Sequence, residues 1–403
     1  MKTTATLALA CAFLVSACGD APTTTAPEAA AAADTEAAMS VQDARAHWLA
    51  PGLIAWDAPD GGAVMLASDG AFAPMPVGRG YAAERAGTVR DVFGDAYPHL
   101  AHLPLWRVGL DEAAAKRLLH GPVVIGSVDR SGRGARTLGA TRVQTGAVLD
   151  ALYAEAALEA PLGVTWDGNG DGPTLSVWAP TAQSVRLRLF DEGEAFESLE
   201  MTRDEASGVW SVGGTPDWDR AEYLYEVRVF APSEGEVVTN LVTDPYSHAV
   251  TADGERSIVV RLSDTDLMPD GFDAGAGPRP ASPVDAAIYE LHVRDFSISD
   301  ESVTPALRGK FGAFAEADTV GTRHLGGLAE AGLTHVHLLP AFDFATVPER
   351  EADRTEPEIP DDGPAGTGQA EAAEAARATD GFNWGYDPHH YTVPEGSDRK
   401  SVV

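Results

Sequence analysis

Ala287-Ile-Tyr-Glu-Leu-His-Val293 and Thr334-His-Val-His-Leu-Leu339 are two short apolar-rich runs, and residues 322–331 between them carry leucines at helical spacing, Leu325 and Leu328. The β-branched and aromatic side chains of the two runs suit extended chain, whereas the leucine spacing lays one apolar stripe along a helix. A strand, a helix and a strand in this order form a crossover that joins parallel strands. The stretch from 287 to 339 is therefore expected to be a parallel βαβ unit.

Upstream the pattern is different. Around 263–284 the chain is rich in Pro, Gly and Asp and reads as a link. Before it, residues 161–272 hold short, regularly spaced runs: Thr174-Leu-Ser-Val-Trp-Ala-Pro180, Ser184-Val-Arg-Leu-Arg-Leu-Phe190, Val209-Trp-Ser-Val212 and Tyr223-Leu-Tyr-Glu-Val-Arg-Val229. Their apolar–polar alternation is that of half-buried strands, and their spacing predicts an antiparallel sandwich. Residues 41–160 are β-rich as well and are expected to be sandwich-like. In this module Leu53-Ile-Ala-Trp56 and Ala63-Val-Met-Leu66 flank Pro59-Asp-Gly-Gly62, a hairpin signal, and Gly146-Ala-Val-Leu-Asp-Ala-Leu-Tyr153 reads as a closing helix. Downstream, the polar insertion 348–368 is expected to be a mobile surface loop, and an Ala/Glu-rich helix is expected near 369–378.

The chain has 403 residues, of which 44% are hydrophobic, enough for several cores. Its 29 basic against 61 acidic residues give a net charge of −32. A chain so acidic repels phosphate backbones and anionic headgroups, which argues against nucleic acid as a partner and leaves a neutral polymer compatible. Lys2, the apolar run 5–15 and the small residues before Cys18 have the order of an export signal. Val15-Ser-Ala-Cys18 resembles the bacterial lipobox, which implies lipidation of Cys18, a signal over 1–18, a flexible linker over 19–40 and a membrane anchor in the cell envelope, on the periplasmic side or the surface. The other cysteine, Cys11, lies inside that signal, so no internal disulfide is expected.

Near the end stands Gly381-Phe-Asn-Trp-Gly-Tyr-Asp-Pro388, followed by His389-His-Tyr391 and Pro394-Glu-Gly396. This stretch resembles the signature of pullulanase-type debranching enzymes, members of the α-amylase superfamily that hydrolyse α-1,6-glucosidic bonds. Tyr289-Glu-Leu-His-Val-Arg-Asp-Phe-Ser297 and His335-Val-His-Leu-Leu-Pro340 resemble the first two strands of that superfamily's (β/α)₈ barrel. The Leu175–Pro180 start of the second β module, with Thr243-Asp-Pro-Tyr246, resembles the immunoglobulin-like sandwich ahead of glycogen- and starch-acting barrels. The resemblance implies a multidomain chain: two β-rich modules, then the start of a (β/α)₈ TIM barrel over 283–397. It implies an α-glucan polysaccharide or oligosaccharide as substrate, requires no cofactor and leaves calcium open.

Glycoside hydrolysis needs two carboxyl groups facing across the scissile bond. Asp295 after the first run and Asp343 after the second, with Glu290 inside the first, are the local candidates, although acids at such places more often accept structural hydrogen bonds. The resemblance places the nucleophile, acid and stabilising Asp on the fourth, fifth and seventh strands, to which no residues here correspond, so the chain is expected to be inactive by itself. It makes Tyr386 the platform under the sugar, Asp387 part of the polar frame and Trp384 a wall of the same pocket. An aromatic face stacks on the apolar face of a pyranose, and a carboxylate accepts from its hydroxyls. His292, His335 and His337 invite a metal reading, but no carboxylate completes the set, so no metal is expected there. Trp56, Trp178 and Trp210 fall at strand positions where core packing is the default.

After Ser397 the hexapeptide Asp398-Arg-Lys-Ser-Val-Val403 departs from the family pattern, and one codon choice for it reads as common sequencing-adapter DNA. The tail 398–403 is accordingly expected to be foreign to a gene that continues. The competing expectation is a non-catalytic carbohydrate-binding surface lipoprotein. A third, a structural envelope lipoprotein unrelated to glucans, is disfavoured by the signature.

Overall fold

The computed structural model describes residues 39–41, 43–68, 71–72, 80–131, 136–167, 172–191, 194–267, 280–363 and 365–396. Cys18, its signal, most of the linker and the tail 398–403 lie outside these residues.

Seven strands build the first module: β1 Ala46–Ala50, β2 Leu53–Ala55, β3 Ala63–Ala67, β4 Tyr81–Thr88, β5 Pro104–Val108, β6 Val124–Asp129 and β7 Arg136–Gln144. They run β1-β2-β5-β4-β3-β6-β7 and close on themselves, because β7 returns beside β1 in parallel, with Ala46 opposite Val143. The module is thus a closed barrel and not a sandwich. Alternation along a strand marks an inner and an outer face in both architectures, and only the long-range β1–β7 pairing separates them. Trp48, Ile54, Val64, Leu66, Val108, Ile125 and Val143 fill the interior. Helix α1 Val89–Phe93 and helix α2 Glu112–Leu118 interrupt the strand sequence, and α3 Gly146–Ala157 adds Val148 to the same core.

The turn at 59–62 does not make the expected hairpin. β2 pairs with β1 and β5, while β3 pairs with β4 and β6. The tight reversal lies instead between β1 and β2, where a Cβ on Gly52 would stand 2.8 Å from the carbonyl oxygen of Val108. Only glycine allows that approach.

The second module is the expected antiparallel sandwich. Its strands are β8 Gly163–Trp166, β9 Pro173–Trp178, β10 Ala182–Asp191, β11 Glu194–Glu200, β12 Thr202–Arg203, β13 Val209–Gly213, β14 Glu222–Ala231, β15 Glu236–Val242 and β16 Ser257–Ile258. One sheet is β8-β9-β13-β12; the other is β11-β10-β14-β15, with β16 also on β14. Val185, Leu187 and Leu189 of β10 enter the core with Leu175, Trp218, Tyr223 and Tyr225. The alternate residues face outward, where Arg186 meets Glu200 at 2.6 Å and Arg188 meets Glu226 at 2.8 Å. Such cross-strand pairs support register and add little stability.

Beyond the link, β17 Ile288–Leu291 and β18 His335–Leu338 pair in parallel, with Ile288 opposite His335 and Leu291 opposite Leu338. Helix α4 Val293–Ser297 and helix α5 Val320–Glu330 lie between them in sequence. The βαβ expectation therefore holds, with a shorter first strand: His292 already caps α4, its Nδ1 accepting the N–H of Asp295. Thr319 caps α5 in a reciprocal arrangement with Thr322. Leu325 and Leu328 are half-buried, whereas Ile288, Val336 and Leu338 are exposed. A short antiparallel pair, β19 Asp343–Phe344 with β20 Pro388–His390, then brackets the insertion and α6 Gly368–Ala376. The start of the insertion is anchored where a mobile loop had been expected: Arg354 donates to the carbonyls of Pro348 and Glu349, and Glu349 bonds Asp253 of the sandwich. Among the described residues no helix is long and apolar enough to cross a membrane.

Candidate functional site

The loop 381–388 is held by its own polar groups and by the ends of β17 and β18. His292 Nε2–H donates to the carbonyl of Asn383 at 2.7 Å, a tautomer fixed by its other nitrogen accepting from Asp295. Asn383 accepts from the N–H of Gly385 and donates to Thr346 Oγ1, which in turn donates to Asp387 Oδ2. Gly385 has φ +82°, and a Cβ there would fall 2.0 Å from the carbonyl oxygen of Pro340, so both backbone and space demand glycine. Phe382 and Trp384 meet edge to face at 5.5 Å, and His292 stands 6.0 Å from Trp384.

The three residues singled out from the signature come together. Trp384, Tyr386 and Asp387 share one cleft of about 1050 Å³ with Phe382 and Thr346. Trp384 is 56% and Tyr386 72% exposed, unusual for large aromatic side chains in an ordered loop. Asp387 lines the cleft as well, with its Oδ1 buried and its Oδ2 held by Thr346. Two exposed aromatic faces in one cleft form a surface suited to a sugar ring.

The local acids are not arranged as a pair. Glu290 meets His337 at 3.2 Å, Asp295 lies on the first turn of α4 beside Arg294, and Asp343 is fully buried with His390 Nδ1 at 2.6 Å. Each histidine has a different partner: Asn383 for His292, Thr334 for His335 and Glu290 for His337. Trp56 and Trp210 are core residues, and the indole N–H groups of Trp178 and Trp210 donate to the carbonyls of Ser207 and Ala179.

A cluster under the loop was missed by sequence reasoning. Asp343, Glu349 and Glu395 each bring a carboxylate oxygen within 4.8 Å of the others, and His390 links Asp343 to Thr243 of the sandwich, 2.7 Å from its Nε2. Burial, and then the neighbouring Glu349, push the Glu395 carboxyl up to about 9, so it keeps its proton at neutral pH. Asp343 between two phenylalanines and Glu395 between Pro394 and Gly396 were the available signals, since acids in such settings have few neighbours to solvate them.

With this geometry in view, the family matches follow its modules. The Pullulanase N2 domain family matches residues 43–151, which is the closed barrel with the first residues of α3. The family of carbohydrate-binding module 48, the isoamylase N-terminal domain, matches residues 161–247 within the sandwich. The chloroplastic pullulanase 1 of Arabidopsis thaliana is 35% identical over 374 residues, covering 88% of this chain and 37% of that protein. The pullulanase of Klebsiella pneumoniae is 35% identical over 408 residues, covering 90% and 37%. The crystal structure of PulA from Klebsiella pneumoniae in complex with maltotriose is similar with a TM-score of 0.78 and 32% identity, over 89% of this chain and 43% of that one. The chain spans about 37% of the length of these two curated relatives. From the two matched modules and the similarity to pullulanases over most of its length, the chain belongs to the pullulanase family and corresponds to an N-terminal portion of its members.

Proposed function

We propose that the chain is part of a debranching enzyme that hydrolyses α-1,6-glucosidic linkages in glucans of the pullulan, starch and glycogen type. Its βαβ unit is read as the start of a (β/α)₈ barrel, whose sites lie at the C-terminal ends of the strands, where the signature loop is packed. The observation that carries the reading is the exposed pair Trp384 and Tyr386, which share one cleft with Asp387. The sandwich supports it through its family, and the maltotriose held by the Klebsiella relative is the ligand class to try first.

Titration of the chain with maltotriose, followed by tryptophan fluorescence, tests the site. Removing both rings, Trp384→Ala with Tyr386→Ala, is expected to weaken binding about tenfold, from stacking of roughly 0.5–1.5 kcal/mol per face. Unchanged affinity in the double variant would move the glucan site elsewhere.

The envelope location rests on the lipobox resemblance. In a bacterial host the chain is expected to incorporate a fatty-acid analogue and partition into detergent, and Cys18→Ala to do neither. Labelling that survives the substitution removes the anchor.

A further inference from the structure

We propose that His120 makes the joint between the closed barrel and the sandwich sensitive to pH: the neutral imidazole locks the two modules together, and the imidazolium loosens them. His120 stands half-buried just past the end of α2, with its Nε2 3.0 Å from Nη1 of Arg203 on β12 of the sandwich. An arginine can only donate, so the imidazole accepts at Nε2 and carries its proton on Nδ1. Protonation turns that acceptor into a second donor and sets two cations face to face.

The surroundings keep Arg203 from retreating. Its side chain is only 10% exposed, and its Nη2 donates to Tyr153 Oη and to the carbonyl of Pro180, each at 3.0 Å. Its Nε is already buried with no hydrogen-bond partner, so the acceptor on His120 counts. Lys116 of α2 adds a further cation, 4.6 Å over the Tyr153 ring, and donates to the carbonyl of Glu205. The acids on this side are Asp204, which faces Lys116, and Glu205, 3.5 Å from Arg203. Glu205 is 73% exposed, too wet to cancel the cations. From the neighbouring strand Gln183 donates to the carbonyl of His120 and accepts from Arg228.

Burial, and then Arg203, hold the His120 imidazole below its ordinary range, with Glu205 pulling the other way. The folded chain therefore takes up this proton less readily than the unfolded chain. The contribution of His120 is complete above the ordinary histidine value and is lost as pH falls through the folded one. Two other ties between the modules, Lys116 to the carbonyl of Glu205 and Arg142 to the carbonyl of Pro232, are each 2.6 Å long. Both keep their charge through this range, so acid loosens the joint without parting the modules. None of the joint residues lines the signature cleft, so the device stands apart from the glucan site.

Amide hydrogen exchange of the full chain, corrected for the intrinsic effect of pH and read by mass spectrometry, tests this in steps from about pH 7.5 to 5, the range in which histidine titrates. Protection over 116–121 and 203–208 is expected to fall about tenfold on acidification, the worth of one hydrogen bond to a charged group, while β14 keeps its protection. His120→Gln offers Arg203 an amide oxygen at every pH and is expected to abolish the fall. Should that variant not fold, Glu205→Gln serves: losing the carboxylate that favours the imidazolium is expected to move the midpoint to lower pH. Joint amides that stay protected in acid overturn the proposal. So do an equal fall in His120→Gln, an unmoved or higher midpoint in Glu205→Gln, or a fall that β14 shares.

Discussion

Asp244→Ala is expected to destabilise the sandwich by about 3 kcal/mol or more, from roughly 1–3 kcal/mol for each buried donor left without its partner. Asp244 is fully buried and accepts from Tyr223 Oη at 2.8 Å, Tyr225 Oη at 3.2 Å and the N–H of Tyr246 at 2.8 Å. Both tyrosines are themselves inaccessible, so water cannot replace the lost acceptor. Urea denaturation followed by tryptophan fluorescence reads the effect; a loss under 1 kcal/mol would show that the cluster rearranges and the estimate from orphaned donors is wrong.

The same residue carries a pH signature. Burial, the leading cause, raises the Asp244 carboxyl above its ordinary value despite the hydrogen bonds that lower it. A carboxyl whose pKa is higher in the folded state holds more protons there, so its contribution is fully present below the unfolded value and is lost as pH rises through the folded one. Asp244→Asn cannot titrate. Its deficit relative to wild type is therefore expected to shrink as pH rises above the ordinary Asp range. A deficit that grows with pH would mean that the tyrosine hydroxyls favour the carboxylate more than burial disfavours it.

Sandwich and βαβ unit were legible because each rests on a local period. The alternation of 184–190 is the inside–outside order of β10, and the leucine spacing after residue 322 is the half-buried stripe of α5. The first module was legible as strands and the closing helix α3, but not as a barrel. Its closure depends on β1 meeting β7 almost a hundred residues later, and its misassigned hairpin on β2 preferring β5 over β3, both long-range choices that no local pattern encodes. The signature loop was legible because Trp384, Tyr386 and Asp387 are neighbours in sequence and share one cleft. The cluster beneath was not, because Asp343, Glu349 and Glu395 come from separate segments of the chain, and Asp253 and Thr243 reach it from another module. Asp343 illustrates the difference: the chain position of a strand-end acid suggests chemistry, but its full burial against His390 makes it a brace.

This polypeptide is expected to release no reducing sugar from pullulan above a heat-killed control. Hydrolysis with retention or inversion needs two carboxyl groups roughly 5–9.5 Å apart with the glycosidic bond between them. Asp343 is fully buried and holds His390, so it cannot reach a glycosidic oxygen. Glu290 is drawn to His337, and Asp295 lies on α4 beside Arg294. Asp387 stands beside the aromatic faces, yet one of its oxygens is taken by Thr346, and of the other acids lining the same cleft Asp253 is held by Arg350 and Glu374 by Arg377. Trp384→Ala and Tyr386→Ala are then expected to change glucan affinity and nothing in a reducing-sugar assay. Turnover that disappears on Asp295→Asn or Asp343→Asn would contradict this, because it would require those two acids to meet across a bond that burial now denies one of them.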